Sequence, residues 1–170
     1  MLTLRPMRPD DFERFWPIFH SVASARETYA LDPDTTPEQA RHYWLRLPLA
    51  TQVAEVDGHL VGSYFLKPNG AGPGDHVCNC GYMVAESARG RGVARAMCEH
   101  SQSLARDYGF LAMQFNSVVA CNDVAVALWQ KLGFDIVGRV PRAFRHGRAG
   151  LVDCLVMYKW LGQGDVPLVP

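Results

Sequence analysis

Neither sign of charge prevails in this chain: 17 lysines and arginines offset 17 aspartates and glutamates, so the formal net charge is zero with histidine neutral. Without a net field, neither nucleic acid nor a membrane surface is an expected partner. No apolar run approaches the length of a bilayer span, and the N-terminus lacks the pattern of a secretory signal. The five cysteines are odd in number and follow no disulfide-framework spacing, which suits a reducing compartment, so the expected location is cytoplasmic. No internal repeat and no second domain are legible. What is present, 48% apolar and 20% charged residues over 170 positions, fits one domain of a soluble enzyme or binding module. A chain of this length buries roughly two-thirds of its unfolded surface. The one local basic excess, Arg139, Arg142, Arg145 and Arg148, reads as a solvated loop.

Periodicity and punctuation give the order of elements. Leu2 to Arg5 reads as a strand. Asp10 and Glu13 have capping-box spacing, and Phe12, Phe15, Trp16, Phe19 and Val22 recur at helical intervals, with Pro17 expected to distort the early turns. Residues 26 to 35 read as a loop, and Thr36-Pro37-Glu38 opens a second helix ending near Pro48. Thr51 to Val56 and His59 to Leu66 flank Asp57-Gly58 as a hairpin. His76 to Ala85 is the next strand, Gly92 to Tyr108 a helix stopped by Gly109, and Leu111 to Val119 a strand. Asn122 to Leu132 is a helix ended by Gly133, followed by strands at Phe134 to Val140 and Leu151 to Trp160. The tail beyond Gly162 reads as loose. The expected fold class is α+β: a mixed, mostly antiparallel sheet of about seven strands with helices on both faces.

The most informative stretch is Gly81 to Ala96, GYMVAESARGRGVARA. A strand feeds a helix through a loop in which Gly90 and Gly92 bracket Arg91. Such an entry leaves unpaired backbone N–H groups at a helix start, where the dipole favours negative charge. Glycine lets a ligand approach the backbone, and Arg89 and Arg91 suit phosphate oxygens. This is the composition of a diphosphate cradle. A dinucleotide-binding fingerprint fits less well, because Arg95 stands where a third small residue is wanted and no ribose-binding acid follows in a second β-α-β unit. A tight turn without ligand would not require two arginines beside two glycines.

Arg89, Gly92 and Ala94 match the spacing Arg/Gln-x-x-Gly-x-Gly/Ala, and Asn122 opens a helix that ends at Gly133-Phe134 (NDVAVALWQKLGF). In this order and at this separation, the two motifs resemble those of the GNAT superfamily of acyl-CoA N-acyltransferases, over roughly residues 50 to 160. The resemblance implies a seven-stranded GNAT sheet in a single domain over residues 1–170, acetyl-CoA as co-substrate, no metal, and direct acetyl transfer to the amine of a small or amino-acid-like acceptor. Dimers are common in that superfamily, so a homodimer is among the assemblies it allows. It further implies that Met83 and Val84 pair with the pantetheine arm and that the Val84 N–H polarises the thioester carbonyl. Amides of Arg89, Gly90, Arg91, Gly92, Val93 and Ala94 would hold the pyrophosphate, and Asn122 would bond the arm. One departure stands out: where the family often carries a tyrosine acid, this chain has Trp129, whose indole N–H is no proton donor near neutral pH. An acyl-CoA-binding sensor without turnover, or an acetyltransferase for protein N-termini or lysines, are the other readings.

A narrower similarity, carried by HVCNCGYMV, MQFNSV and Asn122, is to fungal N-acetyltransferases for proline analogues such as azetidine-2-carboxylate and to their bacterial relatives. In that pattern Asn79 and Asn116 face the substrate, as catalytic or binding amides. Amides on apolar strands are costly unless bonded, so each demands a partner. Glu27 and Tyr29, beside Thr28 in the loop between the first helices, fall where this fold builds its acceptor pocket. Glu27 is a candidate ammonium ligand or base against a solvated carboxylate, and His76 a second base candidate. His76, Cys78 and Cys80 alternate onto one strand face, but no second ligand pair follows at zinc spacing. Cys121 lacks obvious sequence partners for nucleophilic work, and Trp129 reads as core packing.

Overall fold

Among the described residues, seven strands form one sheet. The structure, a computed structural model, describes residues 1–163, so the tail read as loose falls largely outside the described residues. β1 (Leu2–Pro6) pairs antiparallel with β2 (Ala50–Val56), and β2 turns through Asp57-Gly58 into β3 (His59–Pro68). Both turn residues have positive φ, which matches the twist of a two-residue hairpin. β3 lies antiparallel to β4 (Val77–Val84). From β4 the chain crosses through α3 (Val93–Asp107) to β5 (Ala112–Val119), the one parallel neighbour. α4 (Asp123–Lys131), β6 (Asp135–His146) and β7 (Gly150–Trp160) complete the fold, β7 lying between β5 and β6.

Strand alternation divides the core between two layers of helix. Val53, Phe65 and Met83 point to α1 (Asp11–Ala25) and α2 (Pro37–Arg41), meeting Phe12, Phe15, Phe19 and Trp44. Cys78, Cys80, Met113 and Phe115 point the other way, to Cys98 and Ala105 of α3 and Trp129 of α4. Trp44 anchors the first layer: its ring is fully buried, 4.9 Å from the Phe65 centroid and 5.2 Å from that of Phe15. Its indole N–H donates to Ser63 Oγ at 2.8 Å, and Ser63 Oγ donates to the Gln52 carbonyl at 2.7 Å.

Three local expectations are corrected. The capping box forms at Thr36–Gln39, not at Asp10–Glu13. Asp10 has helical backbone angles that turn its side chain from the helix end, whereas Thr36 is extended as a cap requires. α1 runs from Asp11 to Ala25 with Pro17 inside it. The second helix stays α-helical for only five residues and then widens into a π turn, His42–Arg46, closed by Leu47 N–H on the His42 carbonyl. The Trp44 carbonyl accepts from Thr51 Oγ1 at 2.8 Å, tying the turn to the sheet. Finally, Arg142 and Arg145 join Arg139 on β6 rather than lying in a loop, since the strand continues six residues past Val140 with an irregularity between Val140 and Phe144.

Asp11, which caps nothing, joins α1 to the sheet edge. Arg5 reaches it with two guanidinium nitrogens at 2.6 and 2.9 Å and holds Glu55 at 2.8 Å, while the Arg8 N–H donates to Asp11 at 2.8 Å. The hydrogen bonds from Arg5 first, then that from the Arg8 backbone, bring the Asp11 carboxyl down to about 2 against the opposing effect of its burial. A carboxyl depressed in the folded state stabilises above its unfolded pKa and loses that contribution as pH falls through the folded one. Discounted for solvent screening at this partly exposed corner, the effect is about 1 kcal/mol. Urea unfolding of Asp11→Asn is expected to show a deficit of that order at pH 7 that shrinks toward pH 2.5. A gap constant with pH would mean that packing, not charge, holds the corner.

Candidate active site

β4 and β5 part almost as soon as they meet. Their parallel pairing is confined to Val77↔Ala112 and Cys78↔Met113, and β5 itself shifts register between Phe115 and Val118. At the fork the Asn79 Nδ2 donates to the Gln114 carbonyl at 2.9 Å, a side-chain staple where the ladder ends. Beyond it, β4 remains paired with β3 on one side only. Ala85 N–H donates to the Val61 carbonyl on that side, so by alternation the polar groups of Tyr82 and Val84 face the fork. Those of Tyr82 are already engaged: its N–H donates to Tyr29 Oη at 2.6 Å, and Tyr29 Oη donates to its carbonyl at 2.8 Å. Val84 N–H is the amide left facing the opening.

The loop after β4 supplies the second part. Glu86–Ala88 is a short 3-10 turn, and Gly90 and Gly92 have φ of 72° and 78°, where a side chain would be strained. Gly92 occupies the N-cap of α3 without a capping side chain, and the first turn holds no acidic residue. The first helical bond runs from Ala96 N–H to the Gly92 carbonyl, so the amides of Val93, Ala94 and Arg95 project from the helix start. Arg89 and Arg91 stand exposed beside them. This is a concave, positive, backbone-lined end of the kind that takes a phosphate group.

Both parts open into one cleft of about 1130 Å³, lined from Arg89 and Gly92 at one end to Glu27, Tyr29, Lys67 and His146 at the other. α4 forms a wall between. Asn122 caps it, its Oδ1 accepting from the Ala125 N–H at 3.2 Å. Trp129 is buried beneath the fork, its ring 5.2 Å from those of both Tyr82 and Phe115. Burial pushes the Tyr82 phenol well above its ordinary value, and its hydroxyl bonds Ser101 Oγ at 2.7 Å.

The residues expected to meet an acceptor are arranged differently from the sequence expectation. Asn79 is half-buried and held to the Gln114 backbone, and Asn116 is exposed rather than buried. Asn116 accepts from Gln114 Nε2 at 3.0 Å and donates to Asn69 Oδ1 at 2.7 Å, so three amides run in a chain across the cleft edge. Glu27 is no free ammonium ligand: Arg148 Nε donates to it at 2.7 Å, because Gly147 N–H on the β6–β7 turn docks on the Arg26 carbonyl at 2.8 Å and brings Arg148 over it. His76 precedes β4, exposed and outside the cleft lining, while Cys78 and Cys80 are buried in the core. Cys121 lines the cleft as an exposed thiol.

Sequence reasoning missed Asn69 and Lys67. A cation at a strand end and an amide in a glycine-rich loop carry no signal that separates them from solvated surface. Lys67 pairs in register with Asn79, and its Nζ lies 5.4 Å from the Phe65 ring centroid and 5.8 Å from that of Tyr43. No carboxylate pairs with it among the described residues.

Comparison with known proteins adds four likenesses. The family described as "Acetyltransferase (GNAT) family" matches residues 11–134. The N-acetyltransferase aca1 of Schizosaccharomyces pombe is 29% identical over 147 residues, covering 76% of this chain and 70% of that protein. Among solved structures, a GCN5-related N-acetyltransferase from Kribbella flavida superposes with a TM-score of 0.89 at 46% identity, covering 94% of this chain and 97% of that one. The yncA protein of Salmonella typhimurium, solved with its cofactor acetyl-CoA, shares the fold with a TM-score of 0.81 at 18% identity, covering 98% of each chain.

Close packing at the fork is testable. A Cβ on Gly81 would lie 2.6 Å from the Phe65 ring and 3.1 Å from Tyr29 Oη. Gly81→Ala is therefore expected to cost about 1–3 kcal/mol in denaturant unfolding. Unchanged stability would mean that Phe65 and the Tyr29 loop yield freely.

Proposed function

The chain belongs to the acetyltransferase (GNAT) family and is an N-acetyltransferase; from that premise we propose that it transfers the acetyl group of acetyl-CoA directly to the amine of a small, amino-acid-like acceptor. One observation carries this reading: a single cleft joins the anion cradle at the start of α3 to the polar end formed by Asn79, Asn116 and Lys67. Two substrates can lie in it together, as transfer within a ternary complex requires.

The residues fit acetyl-CoA on separate grounds. Free amides at Val93 and Ala94, with Arg89 and Arg91 beside them, suit a pyrophosphate. The unpaired edge of β4 at Val84 suits an extended arm, and the Val84 N–H suits a thioester carbonyl oxygen, which it would polarise, whereas the Met83 backbone faces β3 and is not free for the arm as the sequence implied. The Asn122 Oδ1 is spent on the helix cap, so only its Nδ2 is free for the arm.

In the reaction the amine nitrogen forms a bond to the acetyl carbon, the carbon–sulfur bond breaks, the amine proton passes to water, and water protonates the departing thiolate. The last step needs no enzymic acid, because a thiol has a pKa of about 8.5. This accommodates Trp129 at the position where a phenol is usual. A neutral amine is required, and Lys67 helps to supply it: a nearby positive charge disfavours a second one. The same charge repels polyamines and basic peptides and attracts a carboxylate on the acceptor. Cyclic imino acids, which carry a carboxylate beside their amine, meet the same two requirements.

The decisive measurement is thiol release from acetyl-CoA against amino acids, cyclic imino acids, polyamines, aminoglycosides and basic peptides. Turnover is expected with the first two groups, rising with pH as the amine deprotonates. Tight binding without release on any amine would replace catalysis with a sensor role. In the same assay, Gly92→Glu is expected to lower acetyl-CoA affinity at least 100-fold, since it strains a positive-φ cap and puts a carboxylate in the anion site. Unchanged affinity would move the phosphate site elsewhere.

A further inference from the structure

We infer that Tyr29 is the stop that confines the acyl group to two carbons, an inference resting on the acetyl-transfer reading above and extending it to chain length. Tyr29 stands in the α1–α2 loop, yet its hydroxyl reaches the open edge of β4 and takes both polar groups of the Tyr82 backbone, at 2.6 and 2.8 Å. Its ring leans on Trp44, centroids 6.2 Å apart, so the hydroxyl is backed by the rigid core of the first helix layer. Enclosure raises its phenol well above the ordinary value, so it remains a neutral, double-ended hydrogen-bonding group.

The arm of an acyl-CoA held at the start of α3 arrives at β4 from the strand's C-terminal end. It meets Val84 first, and any carbon added beyond the carbonyl extends back along the strand toward Tyr82. Two residues of strand span ~6.6 Å. Non-bonded heavy atoms need ~3.5 Å of separation, so a carbonyl oxygen at Val84 and a fixed hydroxyl at Tyr82 leave room for a methyl but not for a further methylene. Sideways escape is closed on the Gly81 face, where the Phe65 ring and Tyr29 Oη leave no space even for a Cβ. Displacing the hydroxyl would leave the half-buried Tyr82 N–H and carbonyl without their partner, which resists accommodation by movement.

The test is calorimetric affinity for acetyl-, propionyl- and butyryl-CoA, with thiol release in the presence of an active amine as a second readout. Unmodified protein is expected to bind butyryl-CoA at least 10-fold more weakly than acetyl-CoA. Tyr29→Phe should narrow the gap for propionyl-CoA and Tyr29→Leu for butyryl-CoA. Equal affinity of the unmodified protein for all three would overturn the inference while leaving acetyl transfer intact. So would a gap that persists unchanged in both variants, since the stop would then lie elsewhere. Should Tyr29→Leu fail to fold, Tyr29→Phe decides, because it keeps the ring on Trp44. Absence of binding to any acyl-CoA would remove the acetyl-transfer reading, and this inference with it.

Discussion

Everything in this molecule that bears on chemistry depends on two strands declining to pair. Parallel neighbours β4 and β5 share only two register positions, and past them a strand in the middle of a seven-stranded sheet keeps one edge open. Backbone polar groups inside a protein must find partners. Here they find a side-chain amide from Asn79 at the fork and a phenol from Tyr29 further on, and at Val84 they face the cleft. An edge of this kind is normally a liability. In this chain it is covered above and below by helices, so that only a slender extended ligand can reach it.

The two layers of helix have correspondingly different tasks. α3 and α4 seal one face with Trp129, Cys98 and Ala105, and α3 turns its uncapped start to the cleft. α1 and α2 are fixed to the other face by Trp44 and by the Arg5–Asp11–Glu55 corner. That rigidity matters because the loop between them carries Tyr29 and Glu27 into the cleft. Glu27 is paired with Arg148 across the β6–β7 turn, which leaves Lys67 in the cleft lining as a cation with no carboxylate partner among the described residues.

Much of this was legible in the amino-acid order. The sequence of seven strands and four helices follows from periodicity and turn residues, because those signals act over a few neighbouring positions. The cradle is legible for the same reason: Gly90, Gly92 and the uncapped start of α3 are a local arrangement. Errors gathered where two local signals competed. Asp10 and Glu13 have the spacing of a capping box, yet Arg5 and the Arg8 N–H draw the neighbouring Asp11 into an ion pair instead. The basic residues after Val140 look like a loop because Pro141 interrupts the pattern, and pairing with β7 carries the strand past it.

The sequence by itself determined the element order, the glycine-flanked, uncapped start of α3 and the absence of a phenol at Trp129, since each depends on residues adjacent in the chain. Only the tertiary structure decided the rest. Asn116 lies at the cleft edge bonded to Asn69, 47 residues away, Glu27 meets Arg148 across 121 residues, and Tyr29 bonds the backbone of Tyr82 across 53. No pattern within one segment encodes such pairings, because they arise where the sheet twist and the packing of helices bring distant segments together.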